Sequence, residues 1–148
     1  MIVLAVAVLA GLSFVLGYVL LRRHRMIAVV SGVSMLPSYR PGDRLLARRR
    51  RPQDALQAGQ VVVLRHPRPE VDTGWLVKRV VAVAGDVVPD GIRCDVIPKN
   101  QVILPGEIVP EGHTLILGDN PAHSMDSRQL GFIPLESIRA TVVRRLNR

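Results

Sequence analysis

Trp75-Leu76-Val77-Lys78-Arg79-Val80-Val81-Ala82-Val83-Ala84 reads as a strand: short, rich in valine and closed by Gly85. Alternate side chains of a strand face the same way. Leu76, Lys78, Val80 and Ala82 therefore share one face, and Val77, Arg79, Val81 and Val83 share the other. Similar apolar runs recur at residues 27–30, 45–47, 61–64, 102–104, 114–117 and 140–143, separated by proline and glycine. Short β-prone runs punctuated in this way predict a mostly antiparallel all-β domain. The turn-rich piece 87–111 reads as a small β excursion on the main sheet. Only Ser34-Met35-Leu36 and residues 135–138 suit a helical turn.

Lys78 is out of place in such a run. An unpaired buried ammonium is costly unless it gives up its proton, and a neutral amine is a base. The alternative is a lysine whose stem packs on the sheet while its head reaches water. Ser34, in Ser31-Gly32-Val33-Ser34-Met35-Leu36-Pro37, offers the matching group. A fold that joins the two owns a nucleophile and its activator without a histidine. At the mouth of a turn, backbone N–H groups can face a developing oxyanion.

A third run, Gly118-Asp119-Asn120-Pro121-Ala122-His123-Ser124-Met125-Asp126-Ser127-Arg128-Gln129-Leu130-Gly131, is polar and turn-rich. Ser-Met-x-Pro followed by Gly42-Asp43, then Lys78-Arg79 with Gly85-Asp86, then Gly-Asp-Asn with Ser-x-Asp-Ser-Arg, form an ordered set. In that order the chain resembles the type I signal peptidase (leader peptidase) family of membrane-anchored Ser/Lys serine proteases. The resemblance runs from about Ser31 to Ile138 and implies a signal-peptidase-like β domain.

By that resemblance Ser34 attacks the scissile carbonyl and Lys78 is its general base, while Ser124 orients the lysine. Asp126 and Arg128 match an ion pair that braces the catalytic wall. Arg79 and Asp119 match positions that buttress it, and Gly42 and Asp43 match an architectural turn. Gly32 stands where some members carry an oxyanion-donating serine, which leaves the Ser34 N–H as the donor. Substrate is expected along strand edges, with shallow pockets for small residues one and three positions before the cut. Val30, Met35, Leu36 and Val77 are the candidate pocket residues, with core packing as their other reading.

Residues 2–21 form an apolar run without charge, and about 20 residues at ~1.5 Å each cross roughly 30 Å of hydrocarbon. The basic residues Arg22, Arg23 and Arg25 follow this run instead of preceding it, against a cleaved signal peptide. The chain divides into a transmembrane anchor with basic flank, 1–25, and a catalytic domain, 26–148. The expected location is a cell membrane, crossed once. The basic flank points the domain to the cytoplasm by the positive-inside rule; the family resemblance points it to the outer face, which is the expectation adopted.

The 20 Lys and Arg against 12 Asp and Glu cluster near residues 22–25, 48–51 and 144–148. Few aromatics accompany them, which argues against nucleic acid and for anionic membrane lipid. Cys94 is the only cysteine, so no intrachain disulfide and no thiol-based zinc cluster can form. His24, His66, His113 and His123 lack metal-ligand spacing and read as surface or loop histidines. No cofactor or metal is expected. The expected partners are signal-peptide-bearing preproteins and membrane lipid, and the chain is expected to be a monomer.

The leading expectation is thus a membrane-bound serine endopeptidase that removes N-terminal signal or leader peptides. Two rivals stand beside it: a maturation protease for one dedicated precursor, and a non-catalytic membrane-tethered peptide-binding domain.

Overall fold

The structure is a computed structural model and describes residues 11–15, 17, 24–67, 74–92, 94–96 and 101–147, with the backbone alone for 94–96 and 101–102. The expected spanning helix over residues 2–21 lies largely outside them. Residues 11–15 and 17 are helical, and no helix among the described residues is long and apolar enough to cross a membrane.

The apolar runs become strands. β1 (Arg25–Val29), β2 (Arg44–Arg49), β3 (Val61–Arg65), β4 (Trp75–Val83), β7 (His113–Leu117), β8 (Ile133–Pro134) and β9 (Ile138–Arg145) form one seven-stranded sheet in the order β1-β2-β9-β3-β4-β7-β8. Every neighbouring pair is antiparallel. The piece 87–111 holds the expected excursion: β5 (Cys94–Val96) pairs with β6 (Gln101–Ile103), and Val87 bridges Ile108 below them. The mostly antiparallel all-β reading holds.

β3 is central, and Val61, Val62, Val63 and Leu64 are all buried. Alternation sends Val62 and Leu64 into a cluster with Leu56, Val80, Ile116, Ile133 and Ile138, while Val63 packs with Ala47 and Ala140 on the opposite face. A third cluster, Ala82, Val88, Ile103, Val109 and Leu115, fastens the excursion to the sheet. At ~25 cal/mol per Å² of apolar surface, these clusters are the main source of stability in a domain without disulfides.

Helical structure is richer than expected. Residues 135–137 do form a 3-10 turn, but Pro121–His123 forms another and Ser127–Leu130 forms a one-turn helix, α1. A capping box starts α1: Asp126 accepts the Arg128 N–H, and Gln129 Oε1 accepts the Asp126 N–H. Local capping, with no apolar periodicity behind it, makes this turn.

Candidate active site

β1 ends at Val29, and the loop that follows is closed at its base, where the Val30 N–H donates to Asp43 O and the Gly42 N–H to Val30 O. Gly42 has φ +90°, a left-handed conformation that suits glycine. Asp43 is buried and accepts the Arg40 N–H and the Arg145 guanidinium. Gly42 and Asp43 thus serve the expected architectural turn. Inside the loop Met35 is buried, and the Leu36 and Tyr39 N–H groups donate to Val33 O and Met35 O. Ser34 is carried on this anchored turn.

Lys78 lies on β4 directly across from Val62, on the face of Val80 and Ala82, and is 2% exposed. Its Nζ is 2.7 Å from Ser34 Oγ, so the fold joins two residues 44 positions apart in a hydrogen bond. Burial pushes the Lys78 amine below the ordinary lysine range; the nearby Asp126 carboxylate opposes that fall and the Arg128 guanidinium adds to it.

The third run forms the wall. Asp126 is fully buried and accepts five hydrogen bonds: from the Gly118 N–H, the Ser124 hydroxyl, the Arg128 N–H, and Arg128 Nε and Nη2. Burial alone would raise its pKa, but Arg128, the Gly118 N–H and Ser124 together hold it below the usual carboxylate range. The Ser124 hydroxyl is donated to Asp126 at 2.6 Å and makes no hydrogen bond with Lys78, where the resemblance placed it. A hydroxyl has one proton, and the buried carboxylate is the stronger acceptor. The Asp126–Arg128 pair is present, bidentate and within 2.9 Å.

Arg79, one residue on from Lys78, faces the other way and grips Asp119 with Nε and Nη2 at 2.8 and 2.7 Å. It also donates to Gly59 O and Ser38 Oγ. One guanidinium thereby ties the third run to the Ser34 loop, and it holds the Asp119 carboxyl below its usual range.

A groove of about 290 Å³ opens beside Ser34, lined by Met26, Ala28, Val30, Met35, Val77 and Trp75 among others. Three strands separate β1 from β4 in the sheet order, so the sheet curls to bring these two together over Val63. Among the described residues β1 is an edge strand and β4 meets β7 only from Arg79 onward, so both walls present unpaired strand edge to the groove. Of the candidate pocket residues, Val30, Met35 and Val77 line this groove. Leu36 is half-buried and does not, because the turn at Ser34 points it elsewhere.

Two residues near this site escaped the sequence reading. Asn120 donates its N–H to Ser34 O at 2.9 Å and its Nδ2 to Val33 O at 3.1 Å. His66, expected at the surface, is instead 4% exposed, with Nε2 3.5 Å from Met125 Sδ. It follows Leu64 by two positions, so strand alternation carried past the end of β3 would have turned it inward.

A family model described as signal peptidase, peptidase S26, matches residues 1–91 and 92–146. The chain is 36% identical over 126 residues to the mitochondrial ATP-independent inner membrane protease subunit 1b of Arabidopsis thaliana, covering 81% of this chain and 69% of the relative. It is 32% identical to the mitochondrial inner membrane protease subunit 1 of Schizosaccharomyces pombe, covering 81% and 72%. A Synechocystis protein named "Probable signal peptidase I-1" is 30% identical over 122 residues, covering 71% and 62%.

Proposed function

The chain belongs to the signal peptidase family, peptidase S26, and on that premise we propose that it is a membrane-bound serine endopeptidase that removes N-terminal signal or leader peptides with Ser34 as nucleophile and Lys78 as base. The observation that carries this reading is the 2.7 Å contact of Ser34 Oγ with an amine whose burial favours its neutral form. Neutral Nζ takes the hydroxyl proton as Oγ attacks the scissile carbonyl. The Ser34 N–H makes no hydrogen bond among the described residues and receives the developing oxyanion. Lys78 then passes its proton to the leaving amine, and in the second half-reaction it activates the water that frees Ser34.

Substrate lies extended between the free edges of β1 and β4. At about 290 Å³ the groove sits at the small end of ligand clefts, ~300–1,000 Å³, which suits small side chains before the cut. Asp126 with Arg128, and Arg79 with Asp119, hold the walls in register. Ser124 supports the site through Asp126, and the catalytic domain faces the outer side of the membrane.

The test is cleavage of a precursor carrying Ala-x-Ala before its cut by the full chain in detergent, read by mass spectrometry. A single cut after the second alanine, absent with Ser34→Ala, supports the reading. No cut, or one that survives Ser34→Ala, overturns it. A single dedicated substrate would appear as inert generic precursors beside one processed protein in cells depleted of the chain.

A further inference from the structure

Asn120 touches the nucleophile turn twice, and the two contacts differ in consequence. Its backbone N–H to Ser34 O docks the loop, as any residue but proline would. Its side chain is specific: Nδ2 reaches Val33 O at 3.1 Å. The Val33 carbonyl belongs to the same peptide plane as the Ser34 N–H. A trans peptide is planar, with its C=O and N–H pointing in opposite directions. Whatever fixes Val33 O therefore fixes the direction of the Ser34 N–H.

The Leu36 N–H also donates to Val33 O, at 3.2 Å, but from within the same turn, so it moves with the turn. Asn120 holds the oxygen from outside. Its own position is set by the neighbouring Asp119, locked to Arg79 on β4. The plane is thus referenced to the strand that carries Lys78. A donor on the carbonyl also polarises the amide, which strengthens its N–H as a donor.

We propose that Asn120 is a positioning residue that aims and strengthens the Ser34 N–H toward the oxyanion through the Val33 carbonyl; this rests on the peptidase reading above. Its effect falls on the transition state, because the ground-state substrate binds along β1 and β4, away from this contact.

The test compares the full chain with Asn120→Ala and Asn120→Asp, both of which keep the backbone bond to Ser34 and lose the side-chain donor. Removing a direct oxyanion donor costs roughly 10²–10³ in kcat, so a group acting through that donor is expected to cost less, about 5- to 30-fold. KM should stay within about twofold, and the pH midpoint should not move, because Lys78 is untouched. Affinity for a peptide aldehyde, which adds Ser34 Oγ to its carbonyl carbon while the hydroxyl proton passes to the new oxygen, should fall by the same factor as kcat/KM. In either variant the Ser34 amide ¹⁵N resonance should shift, with no substrate present.

Unchanged kcat, or reduced kcat with unchanged aldehyde affinity, overturns the proposal. So does a loss of activity matched by loss of folded protein in both variants, which would make Asn120 a structural clamp. If the unsubstituted chain cleaves nothing, the peptidase reading fails, and the ¹⁵N shift still decides the contact: no shift sinks it.

Discussion

Gly118→Ala is the substitution for which the structure gives the most definite expectation. A Cβ on Gly118 would stand 2.6 Å from Ser34 O and 2.6 Å from Ser124 Cβ, and would collide with Ser124 Oγ. Ordinary contact begins near 3.4 Å, so Ser34 must give way by about 0.8 Å and Ser124 by at least as much. Ser34 O is itself tied to Asn120, and Ser124 to the buried Asp126, so neither yields freely. Overpacking of this size costs about 1–3 kcal/mol against a total of ~5–15 kcal/mol, which leaves the domain folded. Tm should fall by roughly 4–12 °C. Displacing a reacting group by about 1 Å costs ~10²-fold, so kcat/KM on an Ala-x-Ala peptide should drop by about that factor. Gly32→Ala, in the Ser34 loop and with nothing within 4 Å of its Cβ, is the control and should leave Tm unchanged. Kinetics close to those of the parent chain in Gly118→Ala would refute the claim that this contact sets the nucleophile's position.

Asp126→Ala should destabilise the domain by about 3–5 kcal/mol in urea unfolding, because it removes the buried acceptor of five hydrogen bonds, two of them from the Arg128 guanidinium; a loss under 1 kcal/mol would contradict its place as the hub of the wall. Asp119 and Asp126 have folded-state pKa values below their unfolded ones, so their contribution is present above about pH 4 and is lost as pH falls further. Asp126→Asn should flatten that acid limb, and an unaltered profile would count against the assignment. Ser124→Ala should leave the fold intact and lower kcat by about tenfold through Asp126, with general acid-base catalysis worth ~10²–10⁴ in total; parent-like kinetics would make Ser124 an ordinary turn residue. Peptides with alanine just before the cut should be processed, and their phenylalanine counterparts should not; equal rates would mean that the groove does not select by size.

Much of this was legible in the chain because the strands announce themselves. The runs that became β1, β2, β3, β4, β6, β7 and β9 are short and carry valine, isoleucine or leucine, and glycine or proline falls in every gap between them. Lys78 stood out because it is the one charge on the Leu76, Val80 and Ala82 face of such a run, and that face is the inward one. What stayed hidden was made by polar groups meeting one another. α1 lacks apolar periodicity, although Asp126 followed three residues later by Gln129 carries a capping signal. The Ser124 hydroxyl went to Asp126 because burial made that carboxylate the dominant acceptor, and no spacing in the sequence reports burial. Asn120 was visible within Gly118-Asp119-Asn120, but its role depends on a peptide plane 87 residues away. The groove owes its existence to the curl that carries β1 over β4, so Leu36, near Ser34 in sequence, falls outside it.

The central claim is that a neutral Lys78 activates Ser34, and the most direct measurement is the pH–rate profile of the full chain beside Lys78→Met and Lys78→Arg. Methionine keeps the stem's packing without the base, and arginine keeps the charge but cannot supply a neutral nitrogen. The account predicts a folded and inactive protein in both cases. In the parent chain kcat/KM should rise with pH, its midpoint below the ordinary lysine value of about 10.4 because burial favours the neutral amine. Substantial peptidase activity in Lys78→Met, or a parent profile that does not rise with pH, would contradict it.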